Sequence, residues 1–126
     1  MTQEYVTVQH VTAWAAEQDG QAGYNVKDAD GVVTWKSKAA FEAAFVPIGH
    51  TGHLAPHERR VVGEKALNDN NVAKLTAFLE TPLFGSLSTL DQQRLKIQLG
   101  GMSLVGNVLA DRVDDFTPAP TAESAA

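Results

Sequence analysis

The stretch "GYNVKDADGVVTWKSKAAFEAAF", Gly23 to Phe45, decides how the first part of this chain is read. Two short runs of β-branched and aromatic residues flank Asp30-Gly31, a dipeptide that accepts the positive φ angles of a two-residue hairpin loop. With that loop, Ala29 faces Val32 and Val26 faces Trp35, so that Tyr24, Val26, Val33 and Trp35 share one face of the sheet. Ser37 then caps a short helix in which Phe41, Ala44 and Phe45 fall at i, i+3 and i+4 and cover that face. Upstream, EYVTVQHVT (Glu4 to Thr12) is β-branched and nearly alternating, and reads as a first strand. A polar stretch through Gln21 follows it.

Downstream, VPIGHTGHLAPH (Val46 to His57) carries Gly and Pro without any period and reads as a linker. Pro56 suits a first helical position, and Val61, Val62, Val72, Leu75, Phe78 and Leu79 form a stripe that runs to Glu80, where Thr81-Pro82 ends the helix. Beyond LFGSL, Ser88 and Asp91 have capping-box spacing. Leu95, Leu99, Met102, Val105, Leu109 and Val113 follow at threes and fours. The short connection makes the two helices antiparallel. The expected fold class is α+β: a small three-stranded antiparallel sheet with one short helix over residues 1–47, a linker at 48–55, a long antiparallel helical hairpin at 56–114, and a disordered Pro/Ala-rich tail at 115–126.

Two irregularities mark the hairpin. Asn68 stands where the stripe calls for an apolar residue, with Leu67 displaced to the flank and Asn70 and Asn71 close by. The patch reads either as a solvated face or as a polar layer that fixes the register of an oligomer. Gly100, Gly101 and Gly106 each cost about 1 kcal/mol relative to alanine in a helix interior, a cost that close approach of another backbone would offset. Because two helices cannot bury both stripes alone, either a homo-oligomer formed through the hairpin or docking on the N-terminal unit is expected.

Composition narrows the function classes. The 126 residues carry ten basic and fifteen acidic side chains, a net charge of −5, which argues against a duplex nucleic-acid partner. There is no cysteine, hence no disulfide, zinc-thiolate site or cysteine nucleophile. MTQEYVTVQH has no basic leader region, and no apolar run approaches the roughly 18 to 20 residues of a membrane span. A soluble cytoplasmic protein is expected. His50, His53 and His57, with Glu58, are of metal-ligand type, but their spacing is irregular and the segment reads as loop, so no metal and no cofactor is expected. Neither a phosphate-binding P-loop, a serine nucleophile elbow nor an HExxH motif occurs, and Asp114-Asp115 sit near a fraying end. The reading is a binding protein and not an enzyme.

The pattern of Gly23, Tyr24, Asp30, Gly31, Trp35, Ser37, Lys38, Phe41, Glu42 and Ala44 resembles a module of small tailed-phage accessory proteins, in which a Gly-Tyr strand, an Asp-Gly turn and a Ser-Trp-Ser-Pro-Lys run precede a Phe-Glu-x-Ala-Tyr helix. Here Ser37 replaces the proline, Lys36 the capping serine and Phe45 the tyrosine. The second half resembles an uncharacterised helical-hairpin family of crAss-like and other phages through His57, Arg60, Val61, Val62, Glu64, Lys65, Asp69, Lys74, Leu75, Phe78, Leu95, Gln98, Met102, Leu109 and Arg112. These resemblances imply a phage protein of the host cytoplasm. Modules like the first are also joined to domains that sequester nucleotide immune signals, which implies a counter-defence role.

Two functions compete on that basis. In the first, the chain is an oligomeric sponge for a small anionic nucleotide, cyclic or of ADP-ribose type. Tyr24 or Trp35 would stack on a base, Lys36 and Lys38 with the helix-start amides would hold phosphate, and His57, Arg59, Arg60 and Lys65 form a second candidate site. The plainer reading of Tyr24 and Trp35 is core packing under Phe41 and Phe45. In the second, the hairpin binds protein, inhibiting a host defence complex or bridging phage components.

Overall fold

A computed structural model of the protein describes residues 1–116. The tail from Thr117 onward, expected to be disordered, lies outside the described residues. The chain divides into two compact units, with the boundary between Phe45 and Val46.

In the first unit, β1 (Thr12–Gln18), β2 (Gln21–Lys27) and β3 (Val33–Ser37) form an antiparallel sheet in the order β1-β2-β3, followed by helix α1 (Lys38–Ala44). The expected α+β class holds, but the first strand is Thr12–Gln18 and not Glu4 to Thr12. Asp19 and Gly20, with φ of 52° and 77°, close a two-residue turn that pairs Gln18 with Gln21. A tight turn makes pairing local. Residues 1–11, though alternating, are joined to the sheet by no such turn and lie outside it.

The second turn also differs from expectation. Gly31 has φ +85°, but Asp30 does not join it in the left-handed region, so Asp30-Gly31 is not the two-residue loop. Instead Asp28 organises a longer loop. Its carboxylate accepts from the amides of Asp30 and Val32, both at 2.9 Å, and its own amide donates to the Val32 carbonyl at 3.0 Å. The register moves by one residue, to Val26 opposite Thr34 and Asn25 opposite Trp35. Because side chains alternate along a strand, that single step sends Val33 and Trp35 to the face opposite Tyr24 and Val26. Val26 is buried, and Tyr24 stacks on Phe41, which stacks on Phe45, at 4.4 and 5.0 Å between ring centroids. Ser37 caps α1 as expected, its hydroxyl accepting from the Ala40 amide at 3.3 Å.

The second unit is built on α2 (Pro56–Leu79), a one-turn α3 (Pro82–Ser86) and α4 (Thr89–Asp114). Pro56 opens α2, and the Glu58 carboxylate reaches back to the Ala55 amide at 2.9 Å. What reads as plain connection is partly helical: Thr81 caps α3 by accepting from the Phe84 amide. This turn buries Phe84 edge-on against Phe78, at 6.1 Å between centroids. Ser88 caps α4 through the Asp91 amide at 3.1 Å, and Gln92 donates to the carbonyls of Gly85 and Leu87, tying the corner down.

The two long helices run antiparallel. Val61 and Leu109 are buried, with Val72, Leu75, Leu79, Leu95, Leu99, Met102 and Val113 half-buried. Val105, expected in this stripe, is 47% exposed, and Gly106 takes its place against α2. Asn68 belongs to the seam: its side-chain amide donates to the Met102 carbonyl at 2.9 Å. A Cβ on Gly106 would lie 3.1 Å from that Asn68 nitrogen, so the glycine leaves the room the bond needs. Of the two readings of the Asn patch, a polar layer describes Asn68, here inside one hairpin. Gly100 and Gly101 face open space.

This contact predicts non-additivity. Asn68→Ala should cost about 1 kcal/mol, the net worth of one hydrogen bond. Gly106→Ala should be nearly neutral or destabilising in the native chain, yet stabilising by up to about 1 kcal/mol once Asn68 is Ala, because only then is the gain in helix propensity free of crowding. Urea unfolding of the four proteins measures the coupling, and equal effects of Gly106→Ala in both backgrounds would remove it.

Candidate functional site

The residues proposed for stacking on a base are separated by the sheet. Trp35 lies across Gly23 and donates its indole N–H to the Ala16 carbonyl on β1 at 2.9 Å, a bond that spans all three strands. A Cβ on Gly23 would collide with the Lys36 carbonyl and the Trp35 ring. Gly23 is therefore a close-approach glycine, and Trp35 clamps the sheet on the face away from α1. Packing of Trp35 under Phe41 and Phe45 is overturned by the one-residue register shift, and so is a shared Tyr24–Trp35 face. Tyr24 alone packs beneath Phe41.

Lys36 is opposite Tyr24 and lines a shallow recess with Gln9, Val11, Val26, Asp28, Val32, Thr34 and Phe45. Its volume is about 120 Å³. Small-molecule sites run to roughly 300–1,000 Å³, so this recess is too small to enclose a nucleotide. Lys38 is exposed on the first turn of α1. That helix has seven residues, and Ser37 already occupies the Ala40 amide. The first unit thus places Tyr24 and Trp35 in packing roles, while Tyr5 and Trp14 are exposed and Lys38 is a solvent-facing cation.

His57, Arg59, Arg60 and Lys65 all lie on the first turns of α2. Lys65 is engaged by Asp69, one turn on, at 2.6 Å. Arg59 is half-buried while His57 and Arg60 are exposed, and adjacent helical residues diverge by about 100°. Reading by sequence proximity did not bring Arg112 to this end. The antiparallel course brings the last turn of α4, which carries it, to the end of the hairpin where α2 begins. His57, Arg59, Arg60 and Arg112 lie toward that end, together with the acids Glu58, Glu64, Asp111, Asp114 and Asp115. Among the described residues no three His, Asp or Glu side chains converge on a metal-sized site. No helix there is long and apolar enough to cross a membrane.

The outward side of α4 is the other feature of note. Leu90, Ile97, Leu104 and Val108 are 54, 74, 66 and 52% exposed and fall on one line along the helix, opposite the residues that face α2. The seven-residue spacing of Leu90, Ile97 and Leu104 is visible in the sequence but is masked there by the inward stripe.

Residues 55–115 match the Sequestin family, a span that takes in α2, α3 and α4 and leaves the first unit outside. No curated protein and no solved structure matches the chain.

Two substitutions test the roles assigned to the sheet. Trp35→Phe keeps a ring over Gly23 but loses the bond to Ala16, and should lower stability by about 1 kcal/mol. Gly23→Ala should cost more, about 1–3 kcal/mol, since backbone as well as side chain must move. Denaturant midpoints followed by the fluorescence of Trp14 give both values, and a Gly23→Ala protein as stable as the native one would refute the close approach.

Proposed function

We propose that the chain is a phage-encoded binding protein that holds a small anionic nucleotide signal of bacterial immunity, cyclic or of ADP-ribose type, out of circulation, acting as an oligomer. The observation that carries this reading is the Sequestin match, because it covers the whole helical hairpin and the family name speaks of sequestering. Binding without turnover is consistent with the hairpin's make-up, in which the seam is filled by packing and by the Asn68 amide. Among the acids at the open end of the hairpin, Arg60 and Arg112 each carry a planar fork of N–H donors suited to phosphate, and the exposed His57 adds a ring N–H. The second reading, a protein-binding inhibitor of a host defence complex, draws on the exposed apolar line of α4.

A ligand that binds only the folded state raises stability by mass action, by about 2.7 kcal/mol at one hundred times its dissociation constant. Thermal unfolding against a panel of cyclic dinucleotides and ADP-ribose derivatives should therefore reveal a concentration-dependent rise in Tm with at least one of them. The rise should be lost in His57→Ala/Arg60→Ala, whose side chains are exposed, and kept in Lys36→Glu/Lys38→Glu. No shift at millimolar ligand, together with a host protein retained on the purified chain, would favour the inhibitor instead.

A further inference from the structure

Helix α4 presents a second seam with the spacing of a coiled coil. Leu90, Arg94, Ile97, Gly101, Leu104, Val108 and Asp111 alternate by four and three residues along the side turned away from α2. From Arg94 to Asp111 the line is about 26 Å long at 1.5 Å per residue. We infer that this face pairs with the same face of a second copy of the chain, antiparallel, about a two-fold axis between Met102 and Ser103.

Two complementarities select this occupant and this direction. In the antiparallel register, Arg94 meets Asp111 of the second copy at each end of the seam, opposite charges facing each other twice. Between those ends, Ile97 meets Val108, and Gly101 receives Leu104 of the second copy. A Cβ on Gly101 would meet nothing within 4 Å in the single chain, so the space beside it is free for that leucine. Parallel pairing would oppose Arg94 to Arg94 and Asp111 to Asp111, and would leave a gap where two glycines faced each other. Arg94 is already held near this line by Asp91 at 3.4 Å. A closed two-fold contact uses one patch twice and leaves no unpaired copy of it exposed. One helix face of this length is at the small end of interface sizes, so the dimer forms and dissociates with concentration.

This deepens the oligomeric part of the proposed function and rests on it in no other respect, because mass is measured without nucleotide. Sedimentation of the full chain should give a species of twice 13.5 kDa that dissociates on dilution. Arg94→Asp and Asp111→Arg should each weaken the dimer at least about tenfold by setting like charges opposite one another. The Arg94→Asp/Asp111→Arg protein should regain nearly native affinity. Gly101→Leu should block pairing while favouring the helix, so that an unchanged helical circular dichroism signal excludes unfolding as the cause, and adding Leu104→Ala should restore it. A chain that is monomeric at all concentrations, or charge variants that associate as the native chain does, would overturn the inference. A double variant as weak as its singles would overturn it equally. If the dimer behaves as described but no nucleotide raises Tm, the seam stands and the sponge reading fails.

Discussion

Helix α4 is apolar along two opposite sides, and a two-helix hairpin covers one of them. Leu95, Leu99, Met102, Leu109 and Val113 turn toward α2, while Ile97, Leu104 and Val108 turn away. Apolar area left in water forgoes roughly 25 cal/mol per Å² of stabilisation, so the outward line contributes little to holding the single hairpin together. The placement of the glycines follows the same division. Gly106 lies on the inward side, where it admits the Asn68 amide, and Gly101 lies on the outward line, where its missing Cβ meets nothing in the single chain.

The seam inside the hairpin is specific without being large. Few side chains in this unit are buried, chiefly Val61, Phe84 and Leu109. Its alignment is set by directional contacts: Asn68 to the Met102 carbonyl at mid-length, and Phe84 wedged by Phe78 at the turn, with the Lys96 ammonium 5.9 Å from the Phe84 ring centroid. A polar side chain bonded across an apolar seam penalises any slippage, since the donor would lose its acceptor. Caps at Ser88 and Thr81 and the Gln92 bridge hold the corner between the two long helices.

In the first unit the governing choice is one of register. The Asp28 carboxylate captures two amides and lengthens the turn, and Trp35 consequently lies over Gly23 instead of under α1. The aromatic residues that look like base-stacking platforms are thereby absorbed into packing, Tyr24 with Phe41 on one face and Trp35 with Gly23 and Ala16 on the other. Any recognition of an anion is then left to cations on the surface. Within the Sequestin match these are Arg59, Arg60, Lys65 and Arg112 toward the open end of the hairpin and Lys74, Arg94 and Lys96 toward its turn.

Elements whose signals are local can be read from the residues alone. Pro56 and Ser88 mark helix starts because a missing N–H and a hydroxyl acceptor suit the unsatisfied amides there, and the spacing of Leu95, Leu99 and Met102 is that of one helical face. The α+β class and the long hairpin follow from these. Tertiary structure decided what depends on a partner elsewhere in the chain. Glu4 to Thr12 alternates as a strand should, yet residues 4–11 pair with no strand, whereas Thr12–Gln18 finds β2 across the Asp19-Gly20 turn. Asp30-Gly31 announces a turn, but whether it spans two residues or more rests on hydrogen bonds to Asp28 that no dipeptide pattern encodes. The site divides in the same way. The basic residues of α2 were legible as residue types, but the removal of Lys65 by Asp69 and the arrival of Arg112 at their end required the helices to be folded back on each other. Composition records which side chains are present, while the direction in which each one points is set by register and helix pairing.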